Sequence, residues 1–289
     1  MGKKILLLLA IIFSVKVYAQ KSEVGVFGGV SFYLGELNRS KLFFQPKPAF
    51  GLVYRLNLND HWSLKGNALY GNIQGYDSLS DDKEQRVRNL SFKSVVFEVA
   101  AELELNFLRF EAGDMSTPFS PYIFGGVGIY KFNPKAEIPT GTYEVSPGNF
   151  LDIKGGTYAL QPLGTEGQGT TAYPDRKKYA LTQASIPFGV GLKFNISPLV
   201  GLSMEWGMRY TFTDYLDDVS STYADPLVLA AEYGPVSAAL SDRSIQDPND
   251  PVNNVDTQRG NSTNNDWYSF AGIMLTFRIK NRPENCAAY

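Results

Sequence analysis

From residue 199 to 212 the chain alternates without error. Val200, Leu202, Met204, Trp206, Met208, Tyr210 and Phe212 share one parity; Gly201, Ser203, Glu205, Gly207, Arg209 and Thr211 share the other. A period of two over such a length predicts a β-strand with one greasy face and one small or charged face. The pattern recurs at 22–34, 48–58, 62–72, 91–107 and 184–196, and the seventh strand runs over 199–213. Two segments are less regular. "PYIFGGVGIYKF" (121–132) is apolar on both faces, and 267–279 alternates cleanly only in its second half. The total is eight strands, an even number.

The connections alternate in length. Strands two and three turn at 59–61, and strands six and seven at 197–198. A medium connection spans 108–120. At the other end the connections are 35–47, 73–90, and two long inserts at 133–183 and 214–266. Short turns at one end and long loops at the other is the pattern of an antiparallel membrane barrel, with turns in the periplasm and loops outside.

Alternation alone does not say which face meets water, because soluble eight-stranded barrels also alternate, with apolar residues inside. Three features favour apolar-out. The greasy face is bulky throughout and would not fit a narrow lumen. The other face is rich in Gly and Ser. Its charges come in both signs: Arg55, Lys65, Lys193, Arg209 and Arg278 against Glu98, Glu102, Glu104 and Glu205. Buried ions need partners, and a lumen of matched charge supplies them. Aromatics near strand ends (Trp62, Tyr70, Phe107, Tyr122, Phe132, Phe212, Trp267) suit interfacial girdles. The expected fold is therefore all-β, an eight-stranded antiparallel transmembrane β-barrel with two long extracellular loops. Its interior is about filled by side chains, so the nine charges are expected to form a structural network rather than a pore. A proton path through Glu98, Glu102 and Glu104 is the sharper alternative.

Composition agrees. Of 289 residues, 13% are aromatic and 27 are Gly, which favours β structure. A single Cys, Cys286, excludes a disulfide framework within one chain. The opening "MGKKILLLLAIIFSVKVYAQ" has a basic start, a short apolar run and a small-x-small site at 17–19. It predicts a signal peptide over 1–19 cleaved near Ala19, with the barrel in 20–289 and a periplasmic tail at 280–289. Losing Lys3, Lys4 and Lys16 leaves a mildly acidic chain, a poor partner for nucleic acid.

Chemistry is sparse. The one His, His61, sits beside Asp60 in a tight turn, which suits a turn pair better than a catalytic dyad. Glu102 and Glu104 share a strand face and could shift each other's titration, though ion pairing is the simpler role. "DPNDPVNNVD" (247–256) is rich in oxygen ligands but matches no calcium loop. Asp225-Pro226 starts a short helix at 227–233, stopped by Gly234-Pro235, with a further turn at 236–240. No catalytic residue, metal site or cofactor is expected.

Several stretches resemble one family. "EVGVFGGVSFYLGELN" (23–38), "TEGQG" (165–169) with "QASIPFGVGLKF" (183–194), and "RYTFTDYLDDVSSTYADP" (209–226) with "LSDRS" (240–244) are similar to the Bacteroidetes outer-membrane barrels related to PorG. The most specific part is Asp214, Tyr215, Asp217 and Asp218, which no strand requires. The resemblance implies a non-enzymatic outer-membrane component of type IX protein secretion. It would contact membrane lipid and a periplasmic ring of PorK and PorN type. Such a contact should fall on 59–61, 109–119, 197–198 or the tail. The alternative is a free-standing barrel that binds an external ligand or partner through its long loops.

Overall fold

The computed structural model describes residues 21–39, 41–245 and 253–279. The expected signal peptide, the tail with Cys286, and most of 247–256 lie outside them.

Eight strands close into a barrel. They are β1 (Lys21–Leu34), β2 (Lys47–Asn57), β3 (Trp62–Tyr76), β4 (Ser91–Asn106), β5 (Phe119–Ile138), β9 (Thr182–Asn195), β10 (Val200–Thr211) and β11 (Trp267–Ile279). Each pairs antiparallel with its chain neighbour, β5 pairs with β9, and β11 returns to β1, so no barrel strand leaves an unpaired edge. Each of the eight expected segments forms one of these strands. The largest departure is β5. It runs six residues past the expected end, because Lys131, Asn133, Lys135 and Glu137 break the apolar alternation while Phe132, Ala136 and Ile138 stay buried.

The insert at 133–183 is folded rather than an open loop. After β5 come a hairpin of β6 (Gly141–Ser146) and β7 (Asn149–Ile153), then β8 (Gly156–Ala159), which pairs with the top of β5. A helical turn α2 (Leu160–Leu163) follows. The 73–90 connection holds α1 (Lys83–Arg88), whose Asp82 caps the Glu84 amide. In the last insert lie α3 (Pro226–Tyr233), capped by Asp225 with Pro at its start, and α4 (Pro235–Ser241). These are the two helical pieces expected there. None of the described helices is long and apolar enough to cross a membrane, which has no bearing on crossing by strands.

The faces are inverted relative to a water-soluble protein. Outward positions include Leu52 at 64%, Ile129 at 63% and Val127 at 69% exposed, while Arg55, Lys65 and Arg209 are fully buried inside. So large a continuous apolar surface is stable only against a non-aqueous neighbour. On β5 the outward apolar run extends from Phe119 to Ile129. At about 3.3 Å per residue and a tilt near 40°, it covers about 25 Å, the height of a membrane barrel's apolar band. Between Arg39 and β2, Phe43 folds back over the outer wall and packs on Phe32 and Trp206.

Candidate functional site

The lower lumen is an ion network built by strand register. Arg55 on β2 meets Glu104 on β4 at 2.8 Å and Glu23 on β1 at 3.4 Å. Lys193 reaches Glu104 at 2.6 Å from the far wall. Lys65 bridges Glu102 at 2.7 Å and also pairs with Glu205. Above them Arg209 contacts Glu98 at 3.3 Å and Glu102 at 3.8 Å. Neutral donors add to these ion pairs: Asn57 and Thr276 on Glu23, Asn67 on Glu102, Tyr122 on Glu205, Tyr268 on Glu98. The cations also lie over rings, Lys65 on Phe124 at 4.3 Å and Lys193 on Tyr122 at 4.5 Å. Room for Tyr122 comes from Gly191, where an added Cβ would stand 2.4 Å from its ring, and room for Phe124 from Gly207, where a Cβ would stand 2.6 Å away.

Of the nine charges expected in the lumen, the structure brings eight together. Arg278 is not among them. It is half-buried, and its guanidinium lies beside Gly113 in the turn below the barrel. Glu23 joins the network unanticipated; its inward parity on the first strand was the available signal. Asp60 pairs with Arg109 at 2.8 Å, while His61 directs Nδ1 to the Asn106 carbonyl at 3.0 Å. Glu102 and Glu104 are both engaged by cations.

The upper lumen turns aromatic, with Tyr33, Phe92, Tyr130, Phe132, Tyr268 and Phe270 packed together. Above it the inserts fold into a cap whose centre is the motif at 214–218. Asp218 accepts from Thr165 at 2.5 Å and Tyr179 at 2.6 Å, and its own backbone is left-handed (φ 69°), which Asp tolerates. Asp217 and Asp266 share the Tyr33 hydroxyl at 2.5 and 3.1 Å and take the amides of Val219 and Leu216. Tyr215 stacks on Tyr179 at 4.7 Å and donates to Glu166. Asp214 is buried with neither oxygen in a well-formed hydrogen bond.

Glu166 organises the cap. It accepts from the amides of Ser220 and Ser221, the Ser221 hydroxyl and Arg259 at 2.9 Å. Gly167 and Gly169 flank Gln168 with φ of 84° and 79°, a left-handed turn open to glycine, and this turn aims Glu166 inward. Arg259 also binds the carbonyls of Asp218 and Ser241. Arg243 of "LSDRS" ties the cap to β4 through the Ser91 carbonyl. Stretches 165–169, 209–226 and 240–244 thus form one unit. Glu166 lies in the 165–169 stretch read from the sequence, but its pairing with Arg259 was not legible there because the two meet across 93 residues.

Burial lifts the Asp214 pKa to about 8, with Glu36 and Glu166 adding to the lift and Ser220 opposing it. Burial also lifts Asp218 to about 6, against Arg259 and the Thr165 and Tyr179 hydroxyls. Asp217 and Asp266 are raised well above the ordinary range, chiefly by burial. Among the described residues no cluster of His, Cys, Asp or Glu is arranged to hold a metal ion.

Below the barrel, the 107–118 turn is pinned by Asn195. Its amide donates to the carbonyls of Glu111, Asp114 and Thr117, and its oxygen accepts from Gly113. Met115 stands exposed at the tip.

A closed eight-stranded antiparallel barrel, apolar outside, ionic within and capped at one end, is the class that this geometry defines. The chain belongs to the family described as a domain of unknown function, DUF6089, whose pattern matches residues 2–147. No curated protein matches it in sequence. Solved structures of several barrels resemble it at low identity, among them the following three. Ail, the attachment invasion locus protein of Yersinia pestis, crystallised with the heparin analogue sucrose octasulfate, shares 13% identity over 90% of this chain and 99% of its own, with a TM-score of 0.39. Neisserial surface protein A shares 8% over 91% and 98%, with a TM-score of 0.38. OprG of Pseudomonas aeruginosa shares 9% over 91% and 98%, with a TM-score of 0.37.

Proposed function

We propose that the protein is a non-enzymatic, non-conducting barrel of the outer membrane that serves type IX protein secretion, connecting that membrane to a periplasmic ring of PorK and PorN type. The observation that carries the non-conducting part is the sealed interior: paired ions fill the lower lumen, rings fill the upper lumen and the cap covers the mouth. A barrel without a passage acts through its two ends. The resemblance at 165–169, 209–226 and 240–244 supports the secretion role. The pinned 107–118 turn offers a rigid periplasmic contact. Deleting the gene should block export of proteins that carry C-terminal sorting domains, and a photo-crosslinker at Met115 should capture a ring lipoprotein in intact cells. Normal export after deletion would remove the secretion role.

A second reading has its own support. A groove of about 960 Å3 opens at the capped end, lined by Arg39, Arg88, Gln258, Asn261, Asn264 and Trp267 among others. It suits a free-standing barrel that binds an external polar ligand. In that case shortening 261–265 abolishes function while export and barrel assembly continue.

A further inference from the structure

The lipid-facing wall is almost free of charge. On the outward parity of the eight barrel strands, among the described residues, charge occurs at Lys93 on β4 and at Lys131, Lys135 and Glu137 on β5. All four lie at the upper end of one side. Lys131 is the next outward residue above Ile129, where the apolar run ends, and Lys135 is four residues higher.

Lys93 and Lys135 are directly opposite in the strand register. Like charges at such a position repel, so the arrangement calls for an anion. Among the described residues the carboxylate that pairs with this cluster is Glu137, 3.6 Å from Lys93 with both side chains largely exposed, and it offsets one of the three outward positive charges. A groove of about 420 Å3 runs between these residues, lined by Lys47, Lys93, Lys135, Asn72, Gln74 and Asn133, with no carboxylate in its wall. Residues that carry amide and ammonium groups thus line a groove at the level where lipid headgroups begin.

We propose that this groove holds the phosphate groups of an anionic outer-leaflet lipid, whose acyl chains lie along Val95, Phe97, Val127 and Ile129. The proposal rests on the membrane-barrel reading alone and stands whether or not the protein serves secretion.

The test uses the full processed chain in detergent micelles, titrated with bis-phosphorylated lipid A and followed by native mass spectrometry. K93Q/K135Q should weaken binding at least ten-fold, while K83Q/K177Q, which removes the same charge from the loops, should bind as the parent does. K135Q alone, on an exposed side chain, should show a smaller loss. Phosphate-free lipid A should bind no better to the parent than to K93Q/K135Q. Parental affinity in K93Q/K135Q, or equal loss in K83Q/K177Q, would overturn the proposal. So would inorganic pyrophosphate displacing the lipid at matching concentration, which would make the site one for free phosphate.

Discussion

The lower lumen and the capped mouth are both rich in buried charge, yet they neutralise it by different means. The lumen sets Arg55, Lys65, Lys193 and Arg209 against five carboxylates, each within ion-pair range of a cation. The mouth holds Glu36, Asp77, Glu166, Asp214, Asp217, Asp218 and Asp266 around Arg88, Arg243 and Arg259. Its acids lean on hydroxyls, backbone amides and retained protons. Strands fix cross-barrel register, so a cation can be set opposite an acid from a distant part of the chain. Loops bring their own amides and hydroxyls inward and supply fewer cations. The cap, which relies on retained protons, should therefore respond to mild pH change.

The largest expected effect comes from breaking the lumen network. Glu104→Gln leaves Arg55 and Lys193 under-compensated in a sealed interior and should cost about 3–5 kcal/mol of unfolding free energy in urea, read by tryptophan fluorescence. Adding Lys193→Met should recover part of the loss, since the two residues act as a pair. A loss under 1 kcal/mol would mean that water reaches the network.

A smaller effect follows from Arg259→Gln, which strips Glu166 of its cation and the Asp218 and Ser241 carbonyls of a donor. About 2–3 kcal/mol should be lost, confined to the cap. Amide exchange across 213–222 should quicken while the barrel strands keep their protection.

The smallest effect is the most discriminating. A carboxyl whose folded pKa lies above its usual 3.8 binds its proton more tightly when folded. Its stabilisation is full at pH below that value and is lost as pH rises through the folded pKa. Cap protection should therefore fall from about pH 4 upward, the part owed to Asp218 ending near pH 6 and the part owed to Asp214 ending near pH 8. Asp214→Asn should remove the part of the fall between pH 6 and pH 8 and gain about 1 kcal/mol at pH 9, with a smaller change at pH 5. A pH-independent cap would erase the contrast between the two regions.

How legible each region was follows from the same physics. The barrel wall was readable because a lipid outside and a packed interior impose strict alternation, and parity then places Arg55, Glu104 or Arg209 inward without further information. Arg278 shows the limit: parity gave its side and not its height, and it lies at the lower rim. The cap was opaque. β6 and β8 are short strands rich in Gly, Thr and Tyr, β7 (NFLDI) is five residues long, and the partners of Glu166 are set by tertiary folding. The motif at 214–218 was visible as a pattern, but its role in joining three loops needed coordinates.

The central claim is that the alternating strands turn their apolar parity to lipid and their charged parity to a closed interior. Single nitroxide labels at successive positions from 202 to 207, on a Cys286→Ser background in phosphatidylcholine vesicles, test it directly. Oxygen should relax labels at Leu202, Met204 and Trp206 strongly and those at Ser203, Glu205 and Gly207 weakly, with a water-soluble nickel complex reaching none of them. The opposite phase, or nickel access along Ser203 and Glu205, would contradict the account.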